Sequence, residues 1–424
     1  MVSRIKRYIN KSDFIKNLLT LVSGTAVAQA LPILASPILS RLYTPQEFGT
    51  LAVFVSIVMI FGTIANGRYE MAVMLPEKDS DALNLLALGV IVSSILSILL
   101  LIFILFFHDT IIIWLKNADL KNWIYLLPPV IFLLGLFNML NYYNIRIKEY
   151  KSIAVSKIFK SSGTVVIQLI MGIFKTGYIG LLIGFSFANF FGNIKLLKNS
   201  LKDKSLLNEV KLKQIKFLAK RYLRFPKLNM PATLANKLST ELTNILVSTV
   251  FNVVTLGLFS FAQKMLSVPS SFIGTSVGDV FMQEAAYEKH KTGKAEKIYR
   301  AVLRKLTLIG LIFFGILFFV AEDVFAFVFG EEWRLAGYYA KIMMPLLLVR
   351  FIVSPVSVSL SVFEKQHITL FWHLGLFILS MLIIASAFII KLNFTQFLYI
   401  YVGVLTVYYL ILLIILQKVV KGEK

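Results

Sequence analysis

The sequence predicts an all-α polytopic membrane protein with about twelve transmembrane helices in two six-helix lobes, and three observations predict it. The 424 residues are 58% hydrophobic and 16% charged, with a mean hydropathy of +0.78, which is too apolar for a soluble chain of this length. The apolar residues gather in runs of roughly 20, enough to cross a bilayer as helix at about 1.5 Å per residue. The 44 Lys and Arg residues fall mainly in short segments between those runs, concentrated in every second one.

The first half holds six expected spans. A basic leader with Arg4, Lys6, Arg7 and Lys11 precedes span one, at about 14–40, which contains Pro32 and Pro37. Each proline removes a backbone donor, so this helix is expected to bend where neighbours can satisfy the freed carbonyls. The run is too long for a signal-peptide core and no small-residue cleavage site follows it, so it is expected to stay as an anchor. A turn, Tyr43-Thr-Pro-Gln-Glu-Phe-Gly49, leads to span two at about 48–66. The loop Asn66-Gly-Arg-Tyr-Glu-Met-Ala-Val-Met-Leu-Pro76 then starts polar and ends apolar. Spans three to six follow at about 82–107, 123–147, 152–174 and 178–198.

Residues 199–225 change character. Lys202, Lys204, Lys211, Lys213, Lys216, Lys220, Arg221 and Arg224 alternate with scattered apolar residues, the pattern of a helical linker on a charged membrane face. Spans seven and eight follow at about 226–251 and 255–281. After a basic loop from Lys289 to Lys305, spans nine to twelve fall at about 302–326, 337–362, 368–390 and 396–417. The expected division is therefore a lobe over 1–198, a cytoplasmic linker over 199–225 and a second lobe over 226–424.

Orientation follows from the basic residues. With the N-terminus cytoplasmic, the inner side holds the leader, Arg68, Lys78, Arg146, Lys148, Lys151, the linker, the 289–305 loop and the C-terminal lysines. The outer side holds Arg41, Lys116, Lys121, Lys175, Arg334 and Lys391. Both termini are thus expected inside. The halves also resemble each other: an offset of 208 residues carries Phe48-Gly49 onto Leu256-Gly257, Thr25 onto Thr233 and Ser40 onto Ser248. Six spans per half give parallel repeats related by an axis along the membrane normal, an arrangement suited to alternating access.

Charges inside spans are costly, about 2.5–3.5 kcal/mol each on insertion scales, and belong beside a partner or a watery cavity. Lys237 and Glu241 stand four apart on span seven, where they could brace one another, or line a cavity with Glu241 as an ion-coupling carboxylate. Lys264 on span eight has no acid within a turn on its own helix, and Arg350 lies near the middle of span ten. Lys157 and Lys160, in the first third of span five, are expected to snorkel to the headgroups. Arg68, with Glu70 in the same loop, adjoins the expected inner mouth, and Gln29 and Asn66 are either interhelical bonds or sugar contacts. Cations in excess of acids imply an anionic group on the substrate, for which phosphate is the natural match.

The composition also excludes. No cysteine is present, which removes disulfides and thiol chemistry, and His108, His290, His367 and His373 are too scattered to form a metal site. No phosphate-binding glycine loop occurs, and no cofactor is expected. The basic charge lies in loops between spans, so nucleic acid is a poor partner. A membrane polymerase or glycosyltransferase would need a sizeable outer loop, whereas the longest one, at about 108–122, offers little beyond Asp109 and Asp119. A drug or cation antiporter would need buried acids in excess.

Four segments carry a family likeness: Ser23-Gly-Thr-Ala-Val-Ala-Gln-Ala-Leu-Pro32, Leu42-Tyr-Thr-Pro-Gln-Glu-Phe-Gly49, Arg68-Tyr-Glu-Met-Ala-Val-Met-Leu-Pro76 and Gly257-Leu-Phe-Ser-Phe-Ala-Gln-Lys-Met-Leu-Ser-Val-Pro269. The chain resembles the Wzx-type lipid-linked oligosaccharide flippases of the multidrug/oligosaccharidyl-lipid/polysaccharide exporter superfamily. The resemblance implies a MATE-like, V-shaped pair of lobes that is not an enzyme. It implies transfer of an undecaprenyl-diphosphate-linked repeat unit, for O-antigen or capsule, to the outer face of the bacterial inner membrane. Membrane lipids, a polysaccharide polymerase and a chain-length regulator are the partners it implies, and Lys264 lies where the family commonly has a basic residue. On that reading Lys237, Lys264 and Arg350, with Arg68, Gln29 and Asn66, contact the substrate, and Glu241 couples an ion.

Overall fold

A computed structural model gives the backbone of all residues except Met1, 203–207 and 423–424, and side chains except those of 1–19, 203–207, 268–273, 275–276, 279 and 423–424. The expected leader residues Arg4, Lys6, Arg7 and Lys11, with Lys204 and Lys424, have their side chains outside the described set. Every regular element among the described residues is a helix. Contacts divide it into two compact units, Met1–Tyr43 with Val53–Lys237, and Thr44–Ala52 with Leu238–Lys424.

The first unit contains α1 (Val2–Leu42), most of α2 (Pro45–Ile64), α3 (Asp79–Leu115), α4 (Leu127–Arg146), α5 (Tyr150–Ile173), α6 (Tyr178–Ser200) and α7 (Leu212–Arg221). Helix α1 runs unbroken through both prolines, and the two carbonyls they orphan find serines. Pro32 cannot donate to Ala28, whose carbonyl accepts from Ser161 Oγ of α5; Pro37 cannot donate to Ile33, whose carbonyl accepts from Ser36 Oγ. Gly24 lets α1 close on Ala154, and the buried Tyr43 hydroxyl donates to the Gln168 carbonyl at 2.6 Å. Helices α4 and α6 are joined by Asn144, which donates to the Leu196 carbonyl at 3.2 Å, and by Asn193, which donates to the Leu133 carbonyl at 2.9 Å. Helix α3 bends at Phe107, whose backbone leaves helical geometry (φ −115°, ψ 17°).

The linker helix α7 is amphipathic, with Ile215 and Leu218 buried one turn apart and Lys213, Lys216 and Lys220 exposed. Its apolar face joins a core with Tyr69, Leu83, Leu85, Met139 and Tyr143. Gln214 donates to Asp81 Oδ1 at 2.6 Å, and Asn84 holds Glu209 and Lys211 through their backbones at 3.0 Å each. The segment read as a linker therefore packs within the first unit.

The second unit contains Thr44–Ala52, most of α8 (Met230–Val250), α9 (Val253–Thr292), α10 (Glu296–Phe329), α11 (Arg334–Val356), the short α12 (Ser359–Val362), α13 (Gln366–Ile390) and α14 (Phe394–Val420). Asn252 caps α9 by accepting from the Thr255 amide at 2.7 Å, and an Asn393–Gln396 capping box starts α14. Its core packs Phe281, Tyr299, Val353, Trp372 and Leu416, and Trp372 stacks on Tyr408 with ring centroids 3.7 Å apart. A second aromatic group joins Phe48, Phe261 and Trp333, with centroids 4.2–5.3 Å apart.

Ten helices among the described residues are long and apolar enough to cross a membrane. Two more long helices, α8 and α9, occupy the places of spans seven and eight. Helix α8 falls outside the ten because Lys237, Ser239, Thr240, Glu241, Thr243 and Asn244 make its middle polar; α9 contributes the apolar stretch Val253–Ser267. Large apolar side chains such as Phe106 (81% exposed), Phe319 (81%) and Phe327 (83%) stand on the outer surfaces of these helices. Faces of this kind belong in lipid.

Candidate translocation site

In the first unit the loop between α2 and α3 builds a polar cluster. Gly67 and Arg68 both adopt left-handed backbone (φ 59° and 63°), which turns the chain sharply into a 3-10 helix, Tyr69–Met74. Gly67 accommodates this without cost; Arg68, which has a Cβ, does not, so the surrounding contacts must hold it. Its guanidinium makes three of them. Nη1 pairs with Glu70 Oε1 at 3.0 Å, Nε donates to Asn229 Oδ1 at 3.2 Å and Nη2 lies 3.1 Å from Met71 Sδ. Asn229 ends a π-helical turn, Phe225–Asn229, from which α8 starts, and its carbonyl accepts from Thr233 Oγ1 at 2.8 Å.

Glu70 is 3% exposed, and its second oxygen, Oε2, is buried without a hydrogen-bond partner among the described residues. Burial raises the Glu70 carboxyl above its ordinary value, against the pull of Arg68. Asn66 is 2% exposed and donates to the Gly89 carbonyl at 3.2 Å and to Ser93 Oγ at 2.7 Å. Of the two roles open to it in sequence, this geometry is the interhelical one. Gln29 is exposed on α1.

Helix α5 adds two cations, and here the expected snorkelling is corrected. Lys157 Nζ turns to α1 and donates to Thr25 Oγ1 at 3.1 Å, while Lys160 Nζ lies 4.7 Å from the centre of the Phe137 ring on α4. Both are half-buried, and neither forms an ion pair with an acid among the described residues. The reason is lateral: a hydroxyl and an aromatic face lie beside α5 within reach of the lysine stems.

In the second unit Lys264 is exposed on α9 and forms no ion pair among the described residues. Arg350 is half-buried on α11, with its guanidinium carbon 5.6 Å from the centre of the Tyr409 ring of α14. Glu241 is half-buried on α8, where Asn244 donates to it at 3.4 Å. Lys237, half-buried on the same helix, is the last residue of the first unit. The structure thus places Arg68, Gln29, Asn66 and Lys237 in the first unit and Lys264, Arg350 and Glu241 in the second.

Sequence reasoning missed Asn229, Thr233 and the Tyr409 ring. Asn229 lies 161 residues from the arginine it holds, and no local pattern marks such a partner.

With this geometry in hand, comparison with solved structures places the fold. The chain is similar to an inward-facing multidrug resistance MATE family transporter of the MOP superfamily, with TM-score 0.74, 14% identity, and 93% of this chain and 95% of that one covered. It is also similar to the lipid II flippase MurJ in an inward closed conformation, with TM-score 0.66, 14% identity and coverage of 95% and 87%. An outward-facing MATE transporter of the same superfamily gives TM-score 0.62 at 12% identity, with 96% of each chain covered. Among curated proteins none matches the sequence. The long apolar helices mark a polytopic membrane protein, and its fold is that of these MATE and MurJ structures. The family described as polysaccharide biosynthesis protein matches residues 38–337, well over half of the chain, and the protein belongs to that family.

Proposed function

We propose that the protein is a flippase that carries undecaprenyl-diphosphate-linked oligosaccharide repeat units from the cytoplasmic to the outer face of the bacterial inner membrane. It works by ion-coupled alternating access, with both termini cytoplasmic, in the assembly of a surface polysaccharide such as O-antigen or capsule. The observation that carries this reading is the set of cations on membrane-embedded helices that lack an ion-pair partner among the described residues: Lys157, Lys160, Lys264 and Arg350. Such charges are retained at a cost, and an anionic headgroup supplies the compensation the protein does not. Family membership supports a role in polysaccharide assembly, and the likeness to MurJ supports a lipid-linked cargo.

On this reading Lys237, Lys264, Arg350 and Arg68 bind the diphosphate and acidic sugars, Gln29 lies near the glycan, Asn66 braces α2 on α3 through its bonds to Gly89 and Ser93, and Glu241 is the coupling carboxylate read from the sequence. The polyprenyl tail stays in lipid. A drug or cation antiporter on the same fold would bind its cargo with acids, and the membrane-embedded charge here is mostly basic. The test is a strain lacking its own flippase, complemented with the native gene or the Lys237→Ala/Lys264→Ala double variant. Native protein restores surface polysaccharide and the double variant, present in the membrane at equal level, does not. Normal export by the double variant overturns the assignment.

A further inference from the structure

The Arg68–Glu70 pair is an incomplete ion pair. A buried arginine–carboxylate bridge that serves stability alone normally satisfies both oxygens, because an unmatched charged oxygen in a dry site is costly. Here Oε1 meets Arg68 while Oε2, equally buried, meets nothing among the described residues. Protonation of Oε2 removes the charge and leaves Oε1 as an acceptor. The arginine side is different: its side chain is 20% exposed against 4% for Glu70, so an anion meets the guanidinium before the carboxyl.

We propose that Glu70 is a proton-binding carboxyl linked to anion binding at Arg68: a diphosphate that takes the guanidinium removes the counter-ion from Glu70, which then takes one proton from solvent. The exchange balances. A carboxylate–guanidinium pair, a proton and an anion become a neutral carboxyl and a guanidinium–anion pair. This inference rests on the flippase reading for the identity of the anion, and it adds a carboxyl to Glu241 as a place for the coupling proton.

The surroundings leave Arg68 as the control. Helix α3 brings Asp79 and Asp81; Asp79 pairs with Arg146 of α4 at 2.9 Å, and Asp81 accepts from Gln214. Helix α4 also brings Tyr143, the 3-10 helix Tyr69, the end of α7 Tyr222 and the π-turn Lys227. Arg68, together with the backbone amide of Glu70, favours the charged carboxylate against burial. The consequence reaches α8, because the same guanidinium holds Asn229 in the π-turn where α8 begins. An anion that recruits Arg68 competes for that bond as well, so ligand, proton and the first turn of α8 share one side chain.

The experiment uses the full-length protein in lipid nanodiscs, titrated calorimetrically at pH 7 with undecaprenyl diphosphate, and separately with inorganic diphosphate, in two buffers of different ionisation enthalpy. The proposal expects net uptake of up to about one proton per diphosphate bound with at least one probe, since one carboxyl is involved. Glu70→Gln should bind with uptake abolished. Infrared difference spectra of the native protein give a readout independent of any variant: a protonated carboxyl band appears on binding. Binding without proton uptake, uptake retained in Glu70→Gln, or no new carboxyl band overturns the inference and leaves the flippase reading standing. Failure of both probes to bind the native protein overturns the two together.

Discussion

Gly49 and Gly257 each lie against the backbone of the other's helix. The Val253 carbonyl fills the space a Cβ on Gly49 would occupy, and the Pro45 carbonyl fills that of Gly257. The offset of 208 residues that carries Gly49 onto Gly257 also carries Pro45 onto Val253. The contact is therefore reciprocal: the first turn of α2 and the first turn of α9, both within the second unit, cross with matching residues in matching roles. The repeat read from sequence spacing has here a structural counterpart at the level of single atoms.

Alanine at either glycine must move a backbone carbonyl, which cannot swing aside like a side chain. Gly49→Ala and Gly257→Ala should each cost about 1–3 kcal/mol, the range for overpacking. Because both press on one crossing, the double variant should cost less than the sum of the two. Thermal unfolding in detergent measures all three, and an additive result would show that the two contacts act separately.

The proline–serine pairing in the first unit gives a second test. Ser161→Ala leaves the half-buried Ala28 carbonyl without that donor and should cost about 1–3 kcal/mol. Pro32→Ala restores a backbone N–H one turn below that carbonyl. In the Pro32→Ala background the serine should therefore matter much less, a coupling of about 1–2 kcal/mol in a double-mutant cycle. Equal cost of Ser161→Ala in both backgrounds would contradict the assignment.

Glu70 predicts a pH dependence with a definite sign. Its carboxyl is raised by burial above the unfolded value, so the folded protein binds the proton more tightly than the unfolded chain. The stability linked to this group is fully present below the unfolded value and is lost as pH rises from there through the raised one. Melting temperature of the native protein should fall with rising pH across that window, while Glu70→Gln shows a smaller dependence. The native-minus-variant difference, which cancels other groups, is the quantity to measure; it should decrease as pH rises, and an increase would reverse the sign.

The unmatched cations separate from the surface ones. A charge-assisted bond to phosphate contributes about 1.5–3 kcal/mol, on the order of tenfold or more in binding. Arg350→Ala and Lys264→Ala should each weaken diphosphate-lipid binding by that factor. Lys213→Ala and Lys216→Ala, on the exposed face of α7, should leave it within about twofold. Binding to nanodisc-embedded protein at constant ionic strength checks this, and equal losses across both sets would mean that general surface charge attracts the lipid.

Much of the architecture was written in local chemistry. Runs of apolar residues set the long helices, because a backbone in lipid must satisfy its own hydrogen bonds and a helix does so within one segment. Alternating basic loops set the expected orientation, and the mid-span charges on α8, α9 and α11 were visible as exceptions to an apolar rule. What the tertiary structure alone decided is which polar atoms meet. It brought Ser161 to the carbonyl that Pro32 frees, Asn229 to Arg68, Lys157 to Thr25 and a tyrosine ring to Arg350, and it left one oxygen of Glu70 without a hydrogen-bond partner among the described residues. Hydrophobicity is a sum over neighbours along the chain and can be read from it; a hydrogen bond needs two atoms within about 3 Å, which only the packed helices determine.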